Sequence, residues 1–458
     1  MTWRTSPIGF GLIILLLVAC CLGGGSSRLE VPTLMYLRPV AVVCLAGGLI
    51  LLTARPVPRE LRAPCLFLGA FAVLMLLQLV PLPPGLWRML PGHAFYAEAS
   101  AAAGVGEPWR PLTLSPDRTI NALLTLLFPA AMLALYAGLD RDWRFRLVPV
   151  TVAFVSASAI LGVFQMAAGE GSAAYFFSIT HAGSPVGIFA NRNHQGTLLA
   201  AALPILRLWT LFPTASPEYK RARDWFAAAL ALFFIALIIV TGSRAGVVAA
   251  GIGIVGAILI VPPRGGRARN PGRRWLTVAM VAAPVLVAGA VLLLGRGVAF
   301  DRMFRPDALA DARFDGLPVV LRLIGQFFPF GAGFGTFDPV FRMAEPEAML
   351  SPAYFNHAHD DLLEIVLDGG LPALLLLVLF LGWGVWRALR LIRAKAGPGD
   401  WLDLALSRAA GVVLVILLFA STVDYPLRTP AMAAFAALAC GWFTAWRGRG
   451  QESTEAAL

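Results

Sequence analysis

Residues 225–261 read WFAAALALFFIALIIVTGSRAGVVAAGIGIVGAILIV, two apolar stretches, Trp225 to Thr241 and Ala245 to Val261, parted only by Gly242-Ser243-Arg244. As a helix, each is long enough to cross a hydrocarbon core, which takes roughly 17 to 25 residues. Backbone in that core has no water to pair with, so it must be helical or close into a barrel, and stretches this long and unalternating are helices. The pattern recurs on both sides, marked off by Pro, Gly and charged breaks. Further stretches are Ile8 to Gly24, Pro39 to Ala54, Pro64 to Leu82, Thr119 to Leu139, Leu147 to Ala167, Gly196 to Phe212, Trp275 to Leu294, Leu371 to Ala388, Ala409 to Val423 and Pro430 to Trp446. The fold expected is an all-α polytopic membrane protein of about twelve transmembrane helices, one membrane domain over residues 1–458.

Composition agrees. Hydrophobic residues make up 58% and charged residues 14% of the 458, and the mean hydropathy of +0.75 excludes an ordinary soluble globular chain. A net charge of +11 would suggest nucleic acid in a soluble protein. Here the basic residues sit in short loops, Arg55/Arg59/Arg62, Arg141/Arg144/Arg146, Lys220/Arg221/Arg223, Arg264/Arg267/Arg269/Arg273/Arg274 and Arg387/Arg390/Arg393/Lys395, which alternate with poorer ones. Short basic loops stay in the cytoplasm, facing an anionic leaflet, so both termini are expected there. The long connections Pro83 to Arg118 and Gly295 to Gly370 then fall outside. All five cysteines lie within predicted spans and read as packing residues. Leu17-Val18-Ala19-Cys20 has the form of a lipoprotein cleavage box, or of chance within a first span. Neither a repeat nor a nucleotide-binding motif shows.

With this orientation the chemically capable clusters share the outer side. Arg244 has two readings, a snorkelling anchor at the interface or a planar guanidinium fork holding a phosphate. Arg313 lies in the outer loop among Arg302, Arg305, Arg322 and Arg342. The segment Pro318 to Phe328 is expected as an amphipathic helix on the outer surface or as a packed lid. His359 stands with His357, Asp360, Asp361 and Glu364, where a histidine among carboxylates could orient or deprotonate a hydroxyl. Asp361 and Glu364 share a helix face at i, i+3, and Asp360 or Asp361 could instead simply cap that helix. Two His at i, i+2 could face one metal ion only from extended chain. Asn191, Asn193 and His194 open the sixth span, where amides could bind sugar hydroxyls or Asn193 could be a plain N-cap. Asp424, beside Tyr425, could pair with an arginine of the site or be a turn residue.

The stretches Gly187-Ile188-Phe189-Ala190-Asn191-Arg192-Asn193-His194, Thr241-Gly242-Ser243-Arg244-Ala245-Gly246, Arg313 through Gly331-Ala332-Gly333-Phe334-Gly335-Thr336-Phe337, and His359-Asp360-Asp361-Leu362-Leu363-Glu364 into Asp368-Gly369-Gly370-Leu371 together resemble the O-antigen ligase and Wzy-type polymerase family of bacterial inner-membrane glycosyltransferases. The resemblance covers residues 187–371, with residues 295–370 as a periplasmic loop bearing part of the site. It implies a GT-C-like fold and a role in lipopolysaccharide or other polysaccharide biosynthesis. It also implies an undecaprenyl-diphosphate-linked glycan donor and an acceptor that is a lipid A core sugar or a growing polysaccharide. Arg244 and Arg313 match the family's diphosphate-binding arginines, and His359 its histidine near the acceptor hydroxyl. Neither cofactor nor metal is implied. Two positions depart from the pattern: Asp360 stands where the family often has Asn, and Leu317 where it often has Trp, so Arg305 or Arg322 could replace Arg313. A transporter of a small anion, with Arg244 as a substrate ligand, is the alternative of another class.

Overall fold

The computed structural model describes residues 5–53, 57–260, 308–350, 355–397 and 399–447. In chain order the helices are α1 (Thr5–Gly23), α2 (Leu34–Thr53), α3 (Arg62–Gln78), the short α4 (Pro84–Met89) and α5 (Ala94–Ala102), α6 (Pro116–Thr125), α7 (Leu127–Ala137), α8 (Arg141–Ala168), α9 (Arg192–Trp209), α10 (Pro217–Thr241) and α11 (Arg244–Leu259). After residue 307 come α12 (Ala308–Phe327), α13 (Phe337–Ala344), α14 (Asp361–Arg393), α15 (Trp401–Ser421) and α16 (Pro430–Phe443). A two-residue antiparallel pairing, Pro81–Leu82 with Arg110–Pro111, ties the ends of the connection between α3 and α6.

Among the described residues eight helical segments are long and apolar enough to cross a membrane, so the chain is a multi-pass helical membrane protein. Helices α11 and α16 are apolar but shorter, and α9 has a polar first turn. Eleven of the twelve expected stretches thus fall on these helices. The twelfth, Trp275 to Leu294, lies outside the described residues, as do the basic loop from Arg264 to Arg274, Arg302 and Arg305.

Helix α9 is the inner post of one half, packed by α8, α10, α11 and α15, while α7 plays that part for α1, α2 and α16. Water does not drive helices together inside a bilayer, so close packing through small residues must. On α11 a Cβ added at Gly246 would lie 3.2 Å from Gly196 Cα, and one at Gly253 only 2.8 Å from Ala200 O. These glycines let α11 lie against α9 and bring Arg244, the first residue of α11, to the first turn of α9. Gly242 makes the turn between α10 and α11 at φ 66°, a left-handed conformation that glycine adopts without Cβ strain. The Ser243 hydroxyl then accepts from Gly246 N at 3.0 Å and caps α11.

Helix α14 is broken at Gly370, with φ 60° and ψ −149°, a region open in practice only to glycine. The break exposes main-chain groups that the turn after α12 takes up. Ala332 N donates to Leu367 O and Gly333 N to Asp368 O, each at 2.9 Å, and Leu371 N donates to Pro329 O at 2.8 Å. Gln78 of α3 clamps both sides, donating to Asp368 O at 2.9 Å and accepting from Phe334 N at 3.0 Å. Two of the stretches that carry the family resemblance, 331–337 and 368–371, are therefore one interlocked unit.

Helix α12 starts ten residues before Pro318. Val319, Val320, Leu323 and Phe327 pack with Phe337, Val340 and Phe341 of α13 and with Phe355, while Leu317, Leu321, Phe328 and Phe330 are exposed. One face thus behaves as the packed lid and the other presents apolar side chains outward. Cys20, the last residue of the lipoprotein-like box, is buried inside α1.

Candidate active site

The turn from Phe355 to Asp361 carries the histidines. Asp360 caps α14, its Oδ1 accepting from both Leu362 N and Leu363 N at 3.0 Å. Burial pushes the Asp360 carboxyl up from its ordinary value, and the Glu364 charge adds to this against the two amide bonds. One oxygen does all the capping, so the Asn common in the family would cap equally well, which accounts for the departure at this position.

His359 sits at φ 55°, the one non-glycine residue with positive φ among those described. That conformation costs roughly 1–2 kcal/mol for a residue with a Cβ. Its Nδ1 lies 3.0 Å from His357 O. A carbonyl only accepts, so Nδ1 carries the proton and Nε2 is the basic nitrogen of neutral His359.

The carboxylates of α14 face inward. Asp361 accepts from Ser421 Oγ at 2.9 Å on one oxygen and from Arg428 Nε at 2.9 Å on the other. Glu364 Oε1 is 3.0 Å from Arg428 Nη1 and 3.0 Å from His357 Nδ1, and Oε2 accepts from Ala358 N at 2.8 Å. Burial alone would pull Arg428 down, yet the charges of Glu364, Asp361 and Asp368 outweigh it and hold the guanidinium above its ordinary value. Arg428 therefore stays a cation, anchored between α14 and the turn before α16.

A second knot lies at the start of α9. Asn191 is the N-cap, accepting from Asn193 N at 2.9 Å; the cap considered at Asn193 thus falls two residues earlier. The freed Asn193 amide donates to Asp424 Oδ2 at 2.6 Å, and Asn191 Nδ2 donates to the same oxygen at 3.2 Å. Asp424 Oδ1 accepts from Tyr425 N at 2.9 Å. His194 Nε2 lies 3.5 Å from Asp424 Oδ1, close enough for attraction but outside hydrogen-bond geometry. Asp424 is therefore the centre of an amide cluster, more than a turn residue. The Tyr425 ring joins the knots, with centroids 5.3 Å from His194, 4.5 Å from His357 and 5.0 Å from His359.

Beside the histidine turn opens a cavity of about 1420 Å³. Its polar end holds Ser27, Arg28, Arg118, Arg342, His357 and Arg428 together with the carboxylates Glu30, Asp338, Asp361 and Glu364; its walls run down α3, α11, α14 and α15 through Phe71, Leu259, Phe380, Trp383 and Val415. Arg118 and Arg342 share one carboxylate, Asp338, at 2.9 and 2.5 Å, and Arg28 pairs with Glu30 at 3.1 Å.

Of the residues singled out in the sequence, Asn191, Asn193, His194 and Asp424 come together, His359 joins them through Tyr425, and Asp361 lines the cavity. Arg244 heads α11 beside the first turn of α9. Arg313 is placed on α12, its side chain outside the described residues. Arg322, the substitute, donates to Ala344 O at 3.2 Å. Among the described residues, no group of three or more His, Cys, Asp or Glu could hold a metal ion. Sequence reasoning passed over Arg428, Arg28, Arg118 and Ser27. Arg428 left one signal, the single basic residue in a short loop between two apolar helices.

A bundle of membrane helices enclosing an apolar cavity with a polar end defines a multi-pass membrane protein. Residues 228–378, about a third of the chain, match the family model described as O-antigen ligase. The resemblance seen in the motifs is thereby supported over Gly242-Ser243-Arg244, Arg313, the 331–337 turn and the His359 to Gly370 stretch, and with it glycan transfer in O-antigen biosynthesis as the broad activity. The comparison with curated proteins gave no match.

Proposed function

We propose that the protein transfers a glycan from an undecaprenyl-diphosphate-linked donor to an acceptor hydroxyl, on a lipid A core sugar or a growing polysaccharide, at the periplasmic face of the inner membrane. The observation that carries this reading is the joining of an apolar cavity to an arginine-lined polar end within an O-antigen ligase-like segment. A polyprenyl chain suits the apolar walls, and its diphosphate suits fixed guanidinium groups. Arg244, which is not among the residues lining the cavity, and Arg313 join the cavity's own arginines in holding the diphosphate and stabilising the charge that develops as the anomeric bond breaks, which lets the step proceed without a metal. Asn191, Asn193 and His194, gathered by Asp424, meet sugar hydroxyls. Asp361 acts on the substrate by aiming Arg428. His359 orients or deprotonates the acceptor hydroxyl, which enters opposite the leaving group and inverts the anomeric carbon.

The test is glycan transfer in membranes from a lipid-diphosphate glycan, comparing wild type with Arg244→Ala and His359→Ala at matched expression. Both variants are expected to lose transfer by about a hundredfold or more. Wild-type transfer that both variants retain would remove these roles. An α-linked product from an α-linked donor would exclude single displacement. Uptake of a small anion by wild type without any glycan transfer would instead establish the transporter.

A further inference from the structure

The turn holds two histidines, and the reading above gives chemistry to His359 alone. Yet His357 is the one that lines the cavity. Its Nδ1 faces Glu364 Oε1 at 3.0 Å and its Nε2 faces Ser27 Oγ at 3.2 Å. An ionised carboxylate only accepts, so in neutral His357 the proton is on Nδ1 and the lone pair on Nε2 points at a hydroxyl. Glu364 is buried, and Arg428 at 3.0 Å favours its charged form. Its other oxygen grips Ala358 N, so ring and main chain are fixed together. Base, orienting acid and hydroxyl in line at hydrogen-bond distance is the arrangement of an acid–base dyad with an alcohol in place. The hydroxyl comes from the α1–α2 loop, where Gly25 seats so closely that an added Cβ would lie 1.8 Å from Ile188 O.

We propose that His357 and Glu364 form the acid–base dyad of the reaction, and that the acceptor hydroxyl replaces Ser27 Oγ on His357 Nε2 while His359 orients the acceptor. This deepens the glycosyltransferase reading and rests on it. The acceptor O–H bond breaks and its proton passes to His357 Nε2. The oxygen forms the new bond to the anomeric carbon, and the bond from that carbon to the diphosphate oxygen breaks, its electron pair leaving with the diphosphate. Glu364 balances the imidazolium, which returns its proton to water or to the departing diphosphate.

The experiment uses the full chain in membranes, a lipid-diphosphate glycan and an acceptor on which wild type is active. His357→Gln lowers kcat by about a hundredfold or more, the usual contribution of a positioned base, with the donor KM within about twofold. His357→Gly recovers part of its turnover when imidazole is added, which a purely structural histidine would not allow. Ser27→Ala, which removes the competing hydroxyl, lowers the acceptor KM on the order of threefold, about the worth of one neutral hydrogen bond. Wild-type kcat in His357→Gln overturns the dyad, as does a loss that imidazole leaves untouched while the donor KM rises. Loss of turnover in Ser27→Ala would make that serine the nucleophile and also overturn it. Failure of wild type to transfer to any acceptor is a different result, which removes the glycosyltransferase reading itself.

Discussion

At the scale of single residues, Arg428 bears the most weight in the site. It is the shared partner of two buried carboxylates, and a buried pair broken from one side leaves charge with no compensation, at a cost of about 3–5 kcal/mol. Arg428→Ala is therefore expected to lower thermal stability in detergent markedly, and Arg428→Lys less so, because lysine keeps the charge although its ammonium reaches one carboxylate at a time. Equal melting temperatures for Arg428→Ala and wild type would show that Asp361 and Glu364 are not held by it. Asp360 provides a milder test. Its folded-state carboxyl is raised, so its contribution is favourable at pH below its ordinary value, 3.8, and is lost as pH rises through the folded value. Asp360→Asn keeps the cap and removes that loss, so its stability relative to wild type should grow from pH 4 toward neutrality. A relative stability that fell over that range would contradict the sign.

Among the elements, the break in α14 is the joint on which the site is mounted. Gly370→Ala places a methyl 2.2 Å from Pro329 O at a backbone angle that L-residues avoid. The interlock of 329–335 with 367–371 should then fail, with a sharp drop in the yield of folded protein, as size-exclusion chromatography would report. Normal yield and transfer would mean that the break does not position the histidine turn. The α9–α11 crossing predicts likewise that Gly253→Leu, against Ala200 O, separates those helices and displaces Arg244. Helices of this kind were legible beforehand because a membrane imposes length and apolarity on each segment separately. What joins Glu364 to Arg428, or Ser27 to His357, was not legible: these partners are 64 and 330 residues apart, and only the packing of helices brings them together. The residues singled out in advance that the structure brings together, from Asn191 to His194 and from His359 to Asp361, were those whose polarity contradicted their apolar surroundings. Arg118 and Arg342 looked like ordinary loop charges.

For the molecule as a whole, the charge pattern predicts an orientation that the proposed chemistry requires. Cysteines introduced at Glu107, in the connection before α6, and at Lys220, at the start of α10, should be reached by an impermeant maleimide from opposite sides. Glu107→Cys should be labelled in intact spheroplasts and Lys220→Cys only after permeabilisation. The reverse pattern would put the cavity's polar end in the cytoplasm. The cavity itself predicts a dependence on chain length: Val415→Trp narrows the apolar wall, so the KM for a long polyprenyl donor should rise more than that for a short one.

The seat of Ser27 and Arg28 against α9 and α16 has a further bearing, on the order in which the molecule is made. Gly25 O receives Ala190 N and Gly24 O receives Ala431 N, so the α1–α2 loop is closed down by the start of α16. A ribosome delivers Asp361 and Glu364 well before Arg428, so the two acids have no Arg428 to pair with until the turn before α16 follows. That pairing is thus completed only after α15 has been made, and a polypeptide halted there is expected to leave both buried acids without their cation.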